Sequence, residues 1–204
     1  GTRWNAFVAL AAAEQFLGAS GLGVIAIAIA LLIPTINVTC IIVLTAFGPQ
    51  SANAGQVIKT VAKNPLVQAC AAGLVIYFSG ITLPTPVIEA LDMVGRGALA
   101  VGLLAVGAGV SLRRLRRWDW RLGTAVLLRP LLAPAVFGAF AATLGLSPEQ
   151  TLAGVLVFAA PAASNGYIVA KQMGGDADLY ADVLTWQTVL SLAVLPLWAG
   201  YLLG

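Results

Sequence analysis

The chain has 204 residues, of which 60% are hydrophobic and only 9% charged, with a net charge of +3. A soluble domain usually carries about 25% charged residues, so this composition excludes a water-facing surface and calls for a lipid-facing one. The basic residues fall mostly in predicted connectors, which argues against nucleic acid as a partner, and the chain has no histidine, the commonest metal ligand and general base.

Uncharged runs set the elements. Between Glu14 and Lys59 lie 44 residues without a charge, between Lys63 and Glu89 25, and after Asp182 the last 22. A helix needs roughly 20 apolar residues to cross the hydrocarbon core. The runs are continuous rather than alternating, which predicts helices rather than a barrel. In chain order the expectation is a half-span at 4–17 and spans near 22–46, 64–84, 88–111, 122–145, 150–172 and 179–203. The chain opens on what reads as the interior of a span, so further N-terminal helices are expected to precede it. Turn chemistry separates the spans at Gly18-Ala19-Ser20-Gly21, Gly48-Pro49-Gln50, Pro84-Thr85-Pro86, Leu146-Ser147-Pro148 and Gly174-Gly175-Asp176. The predicted class is an all-α polytopic membrane helix bundle. Cys40 and Cys70 lie inside apolar runs and are expected to be small buried hydrophobes.

Charge sets orientation. The connectors near 48–63, 112–121 and 171–178 carry Lys59, Lys63, Arg113, Arg114, Arg116, Arg117, Arg121 and Lys171. The alternate turns carry no Lys or Arg, so the basic connectors are expected on the cytoplasmic side and the C-terminus outside. Trp118 and Trp120 suit an interfacial belt, and anionic lipid is a secondary reading of the arginine run.

Two stretches are alike. Asn5-Ala6-Phe7 is followed by Gln15, Gly18, Leu22 and a span containing Pro34; Asn165-Gly166-Tyr167 is followed by Gln172, Gly174, Leu179 and a span containing Pro196. The two run in opposite senses across the membrane, the plan of an inverted repeat. Pro161 stands mid-span in Ala159-Ala160-Pro161-Ala162-Ala163-Ser164-Asn165-Gly166. It removes a backbone hydrogen bond, and a broken helix at membrane depth is tolerated only against protein or a water-filled cavity. Freed backbone groups with Ser164 and Asn165 would then hold a polar or anionic solute; the plainer reading is a kink that shapes packing.

Other polar residues carry two readings each. Arg129, about seven residues inside its span, either snorkels to the interface or attracts an anion. Asp182 and Thr185 share a face at the start of the last helix, where Asp182 either lies at the interface or carries a proton; Gln187 follows them. Asp92 and Arg96 are expected to pair along one helix. Gly95, Ala98, Gly102, Ala105 and Gly109 form a small-residue stripe that allows close helix approach.

Several segments together resemble the auxin efflux carrier family of permeases. They are Arg3-Trp4-Asn5, Pro34-Thr35-Ile36-Asn37-Val38, Lys63-Asn64-Pro65-Leu66, Leu91-Asp92-Met93-Val94-Gly95-Arg96, Ala105-Val106-Gly107-Ala108-Gly109, Pro161 to Gly175, and Leu195-Pro196-Leu197. The resemblance implies ten helices in two inverted five-helix repeats, with the fourth and ninth broken and crossing at the centre. This chain would then hold the end of the first repeat (1–47), a short cytoplasmic linker (48–63) and the second repeat (64–204). Asn5 and Asn165 would sit at the crossing, and Ser164, Pro161, Gly166, Asn37 and Gln187 complete the expected substrate residues. Asp182, Thr185 and Arg129 are the expected coupling or anion-attracting residues. The resemblance also implies small organic anions as substrates, dicarboxylates in bacteria or auxin in plants, and the short linker favours a permease of the bacterial plasma membrane.

The expected function is therefore a secondary carrier without cofactor or metal. Its partners would be a small organic anion, the bilayer and a coupling proton or sodium ion, with a second copy of the chain as a candidate. The rivals are a non-transporting receptor or scaffold, a sodium-coupled bile-acid-type symporter, and an intramembrane enzyme. The last lacks a nucleophile–base pair in the sequence.

Overall fold

The computed structural model describes residues 4–47, 55, 58, 59, 62, 63, 65–164, 166–172 and 174–204. The expected positions Arg3 and Asn165 and most of the 48–63 linker lie outside the described residues, as do the side chains of Asn37, Cys40 and Cys70. Helices run in the order α1 (Ala6–Phe47), α2 (Pro65–Ser79), α3 (Thr85–Gly109), a short 3-10 turn (Leu112–Arg116), α4 (Trp120–Leu127), a π-helical segment (Leu128–Leu132), α5 (Ala133–Thr143), α6 (Pro148–Ala159), α7 (Gly166–Gln172) and α8 (Ala177–Leu203). Among the described residues, four segments are long and apolar enough to cross a membrane: Ala6–Ile36, Thr85–Gly109, Trp120–Thr143 and Ala177–Leu203. No β-strand occurs among the described residues, and the protein is an all-α polytopic membrane bundle.

Two details depart from the expected spans. α1 breaks at one residue, Gly18 (φ 65°, ψ −151°), rather than over a four-residue turn. That left-handed backbone suits glycine alone. The chain folds back there so tightly that a Cβ on Gly21 would lie 3.1 Å from the Ala13 carbonyl oxygen. Eight residues of straight helix would separate the two by about 12 Å. The span expected at 122–145 is also not one α-helix, because it widens into a π segment around Arg129 and Pro130.

Local signals end the helices where the sequence places turns. Ser147 and Gln150 form a capping box at the start of α6: Gln150 N donates to Ser147 Oγ and Ser147 N donates to Gln150 Oε1. Asp176 Oδ1 accepts from Leu179 N at 2.9 Å and opens α8.

The core gathers around α6, which packs on α1, α5 and α8. Ala9, Ala13 and Ile25 of α1 meet Leu152, Val155, Leu156 and Ala159 of α6 and Leu195 of α8. The alanines let the helices approach closely, the packing that membrane helices use in place of a hydrophobic drive. Large apolar side chains point outward instead, among them Val75, Tyr77, Phe78, Met93, Leu104, Leu192 and Leu197. In water such a surface would be a liability; in a bilayer it faces its solvent. The small-residue stripe on α3 packs at two points, Gly102 against the Phe7 ring and Gly109 near Leu184.

Candidate functional site

Pro161 has no N–H and cannot continue α6, so the helix ends at Ala159 and Ala160 turns to φ −58°, ψ 141°. The chain becomes helical again at Gly166. Opposite this gap lies the short non-helical stretch that precedes α1. Trp4 and Ala162 form an antiparallel bridge, and Asn5 N donates to Pro161 O at 2.8 Å. The entry to α1 and the gap after α6 thus lie side by side in the bundle.

Backbone groups freed inside an apolar bundle need partners, and side chains from other helices supply them. Arg129 Nε donates to Ala160 O at 3.0 Å. Ala162 N donates to Gln187 Oε1 at 2.9 Å. Ala163 O accepts from Tyr180 Oη at 2.7 Å and from Gly166 N at 3.0 Å. Asn5 Oδ1 accepts from Phe7 N at 3.1 Å and Val8 N at 3.3 Å, which caps α1.

The π segment belongs to the same construction. Pro130 offers no N–H to the carbonyls one turn back, and Gln187 Nε2 donates to one of them, Ala125 O, at 2.8 Å. Gln187, only 1% exposed, therefore staples the break after α6 to the irregularity after α4. Arg129, inside the π segment, makes a second link across the same gap. π turns recur at functional sites because they aim side chains that a regular helix would not.

The structure brings Asn5, Pro161, Gly166, Arg129 and Gln187 together, with Ser164 half-buried in the bend. It places Asp182 and Thr185 elsewhere. Asp182 pairs with Arg114 at 2.7 Å, and Arg114 also reaches Asp178 at 3.1 Å. The Asp182 hydrogen bond, and then that to Asp178, holds the Arg114 guanidinium above its ordinary range. Thr185 Oγ1 accepts from Ser111 N at 3.4 Å, so both residues fasten the 3-10 turn to α8. Trp186 adds to this by donating Nε1 to Arg117 O and meeting the Trp118 ring edge-on. The expected Asp92–Arg96 pair is present at 2.9 Å.

Sequence reasoning missed two residues at the break. Tyr180 pins Ala163, and its phenol fills the space beside Gly166 so completely that a Cβ there would overlap it. Trp4 is 6% exposed, and its Nε1 is the one buried side-chain N or O atom without a hydrogen-bond partner among the described residues. An orphan donor of this kind is rare enough to mark a place where something is bound or moves. The signal for both was a polar-tipped aromatic within an apolar run, which also describes many packing residues.

No curated protein and no solved structure matches the chain significantly. The family model described as "Membrane transport protein" matches residues 50–199, which include the break, the π segment and most of α8. The chain therefore belongs to the membrane transport protein family of auxin efflux carrier type.

Proposed function

We propose that the protein is a secondary carrier for a small organic anion, such as a dicarboxylate, and that it works by alternating access around the crossing of Trp4–Asn5 with residues 160–166. The observation that carries this reading is the Arg129 guanidinium held on the Ala160 carbonyl at a helix break. A cation at such depth in an apolar bundle is costly and belongs to a functional site by default. The carboxylate of a substrate suits its planar fork of donors. The orphan indole N–H of Trp4 is a second donor beside the same gap. Asn165 and Ser164 complete the proposed binding set, with Asn5 and Asn165 as equivalent residues of two inverted repeats. The basic connectors are assigned to the cytoplasmic face of a bacterial plasma membrane.

The test is uptake of labelled malonate and related carboxylates into proteoliposomes that hold the full-length protein. Arg129→Gln in folded protein should weaken uptake more than Arg129→Lys. Flux that ignores both substitutions, or no flux across a broad carboxylate panel, would remove the organic-anion reading.

A further inference from the structure

A second charged feature lies away from the break, in the connector between α3 and α4. Residues 110–119 join two segments long and apolar enough to cross a membrane, so the connector sits where a span meets water. From Arg113 to Arg121 the chain carries five arginines and one acid, Asp119. The other basic connectors use Lys59, Lys63 and Lys171 instead. Orientation across the membrane reads lysine as well as arginine. Arginine differs in gripping a phosphate through a planar fork of donors that lysine lacks.

Local structure sorts these cations onto faces. The stretch Leu112–Arg116 is a 3-10 helix, in which residues three apart lie on one side. Arg114 takes the side toward α8, where it pairs with Asp178 and Asp182. Arg117 continues that side and borders a groove of about 290 Å³ with Asp119, Asp176, Asp178 and Asp182. Arg113 and Arg116 share a different side. Both are exposed, and neither forms an ion pair among the described residues. Arg121 is exposed as well and lies over the Trp120 ring at 5.7 Å. Stacking steadies its guanidinium and leaves the N–H edge for an acceptor. Leu112 and Trp120 beside them are each 72% exposed. A free anion has no use for such apolar neighbours, whereas a lipid packs its glycerol and acyl region on them.

We propose that Arg113, Arg116 and Arg121 hold the phosphate of an anionic phospholipid in the leaflet that the connector borders, with Leu112 and Trp120 against its apolar part. The site is one-sided, because the aspartates of the groove beside Arg117 repel the same headgroup. Arg114 and Thr185 fasten this turn to α8, so a lipid held here ties α8 to the membrane surface. The assignment goes beyond the carrier reading and does not depend on it.

The experiment titrates delipidated full-length protein in detergent with dioctanoyl phosphatidylglycerol or dioctanoyl phosphatidylcholine and counts bound lipid by native mass spectrometry. Phosphatidylglycerol should be retained the more tightly. Each cation near an anionic lipid is worth about fivefold in affinity, so replacing Arg113, Arg116 and Arg121 together by Gln should weaken it roughly a hundredfold. The same triple replacement by Lys, which keeps the charge and loses the fork, should fall between. Arg117→Gln, on the acidic side, should change little. Wild-type protein gives an independent readout: phosphatidylglycerol should slow tryptic cleavage after Arg113 and Arg116 relative to cleavage after the exposed Lys59 and Lys63, and phosphatidylcholine should not. That comparison decides if the glutamine variant does not fold. Equal retention of the two lipids, an unchanged affinity in the glutamine variant, or an equal loss in Arg117→Gln would overturn the assignment. Inorganic phosphate that protects the arginines as well as phosphatidylglycerol does would show a free-anion site and overturn it too. All of these read binding alone, so their failure leaves the carrier reading intact.

Discussion

The backbone amide of Asn5 donates to the carbonyl of Pro161 at 2.8 Å, which ties the entry to α1 to the gap between α6 and α7. The Asn5 side chain meanwhile caps α1 through Phe7 N and Val8 N. One residue thus holds two elements with different atoms, and the two roles separate by mutation. Asn5→Ala should cost about 1 kcal/mol through the lost cap, read as a lower thermal midpoint in detergent. Asn5→Ser keeps a capping oxygen and should stay near wild-type stability. If the side-chain amide also contacts substrate, Asn5→Ser will lose affinity without losing stability; unchanged affinity would confine Asn5 to capping.

Gln187 offers the sharpest stability test. Gln187→Leu removes the acceptor for Ala162 N and the donor to Ala125 O in a site that is 1% exposed. Ala162 N is left without its acceptor, at a cost of about 1–3 kcal/mol, while Ala125 O keeps the Leu128 N–H, so a clear fall in thermal midpoint is expected. Gln187→Glu restores the acceptor alone and should fall between the two. A leucine variant as stable as wild type would show that the two irregularities do not depend on this residue.

A methyl group at residue 166 has no room. Gly166→Ala would overlap the Tyr180 phenol and push it off the Ala163 carbonyl. Overpacking of this kind costs roughly 1–3 kcal/mol. Tyr180→Phe, which loses only the hydrogen bond, should cost about 1 kcal/mol. The measurement is the thermal midpoint of both variants side by side, and the order glycine variant worse than tyrosine variant is the expected outcome.

The 3-10 turn carries three arginines, and Arg114 is anchored by Asp178 and Asp182. Asp182→Asn should speed tryptic cleavage in this turn, because the turn loses its tightest hold on α8. The pH dependence has a definite sign for the arginine. Its proton affinity is raised in the folded protein, so its contribution is complete below the unfolded value and fades only as pH rises through the folded one. Both values lie above the working range, so protection by Arg114 should be constant from about pH 6 to 9. Cleavage that accelerates with alkaline pH over that range would argue against this anchor.

Much of this arrangement was legible because membrane constraints are severe. Charge-free runs of span length, Pro161 in the midst of one, and Asp92 and Arg96 one turn apart each have few structural outcomes. The sequence was silent where tertiary partners decide. Pro130 inside a helix predicts a kink; that it became a π turn depends on Gln187, far along the chain, taking a carbonyl. Asp182 had no local counter-ion to suggest a pair, since Arg114 comes from another connector. At Gly18 the reversal needs one residue rather than four, because small side chains at Ala13 and Gly21 allow the two arms to close up.

The π segment also sets a phase. A π turn holds one residue more than the α turn it replaces, and each residue advances a helix by about 100°. Leu128–Leu132 therefore rotates all of α5 relative to the direction α4 would have given it. That rotation brings Phe137 onto Phe158 of α6, with ring centroids 5.1 Å apart. Loss of a single residue from this stretch would leave composition and span length almost unchanged and still turn Phe137 off α6. In this span the count of residues, as much as their kind, is under constraint.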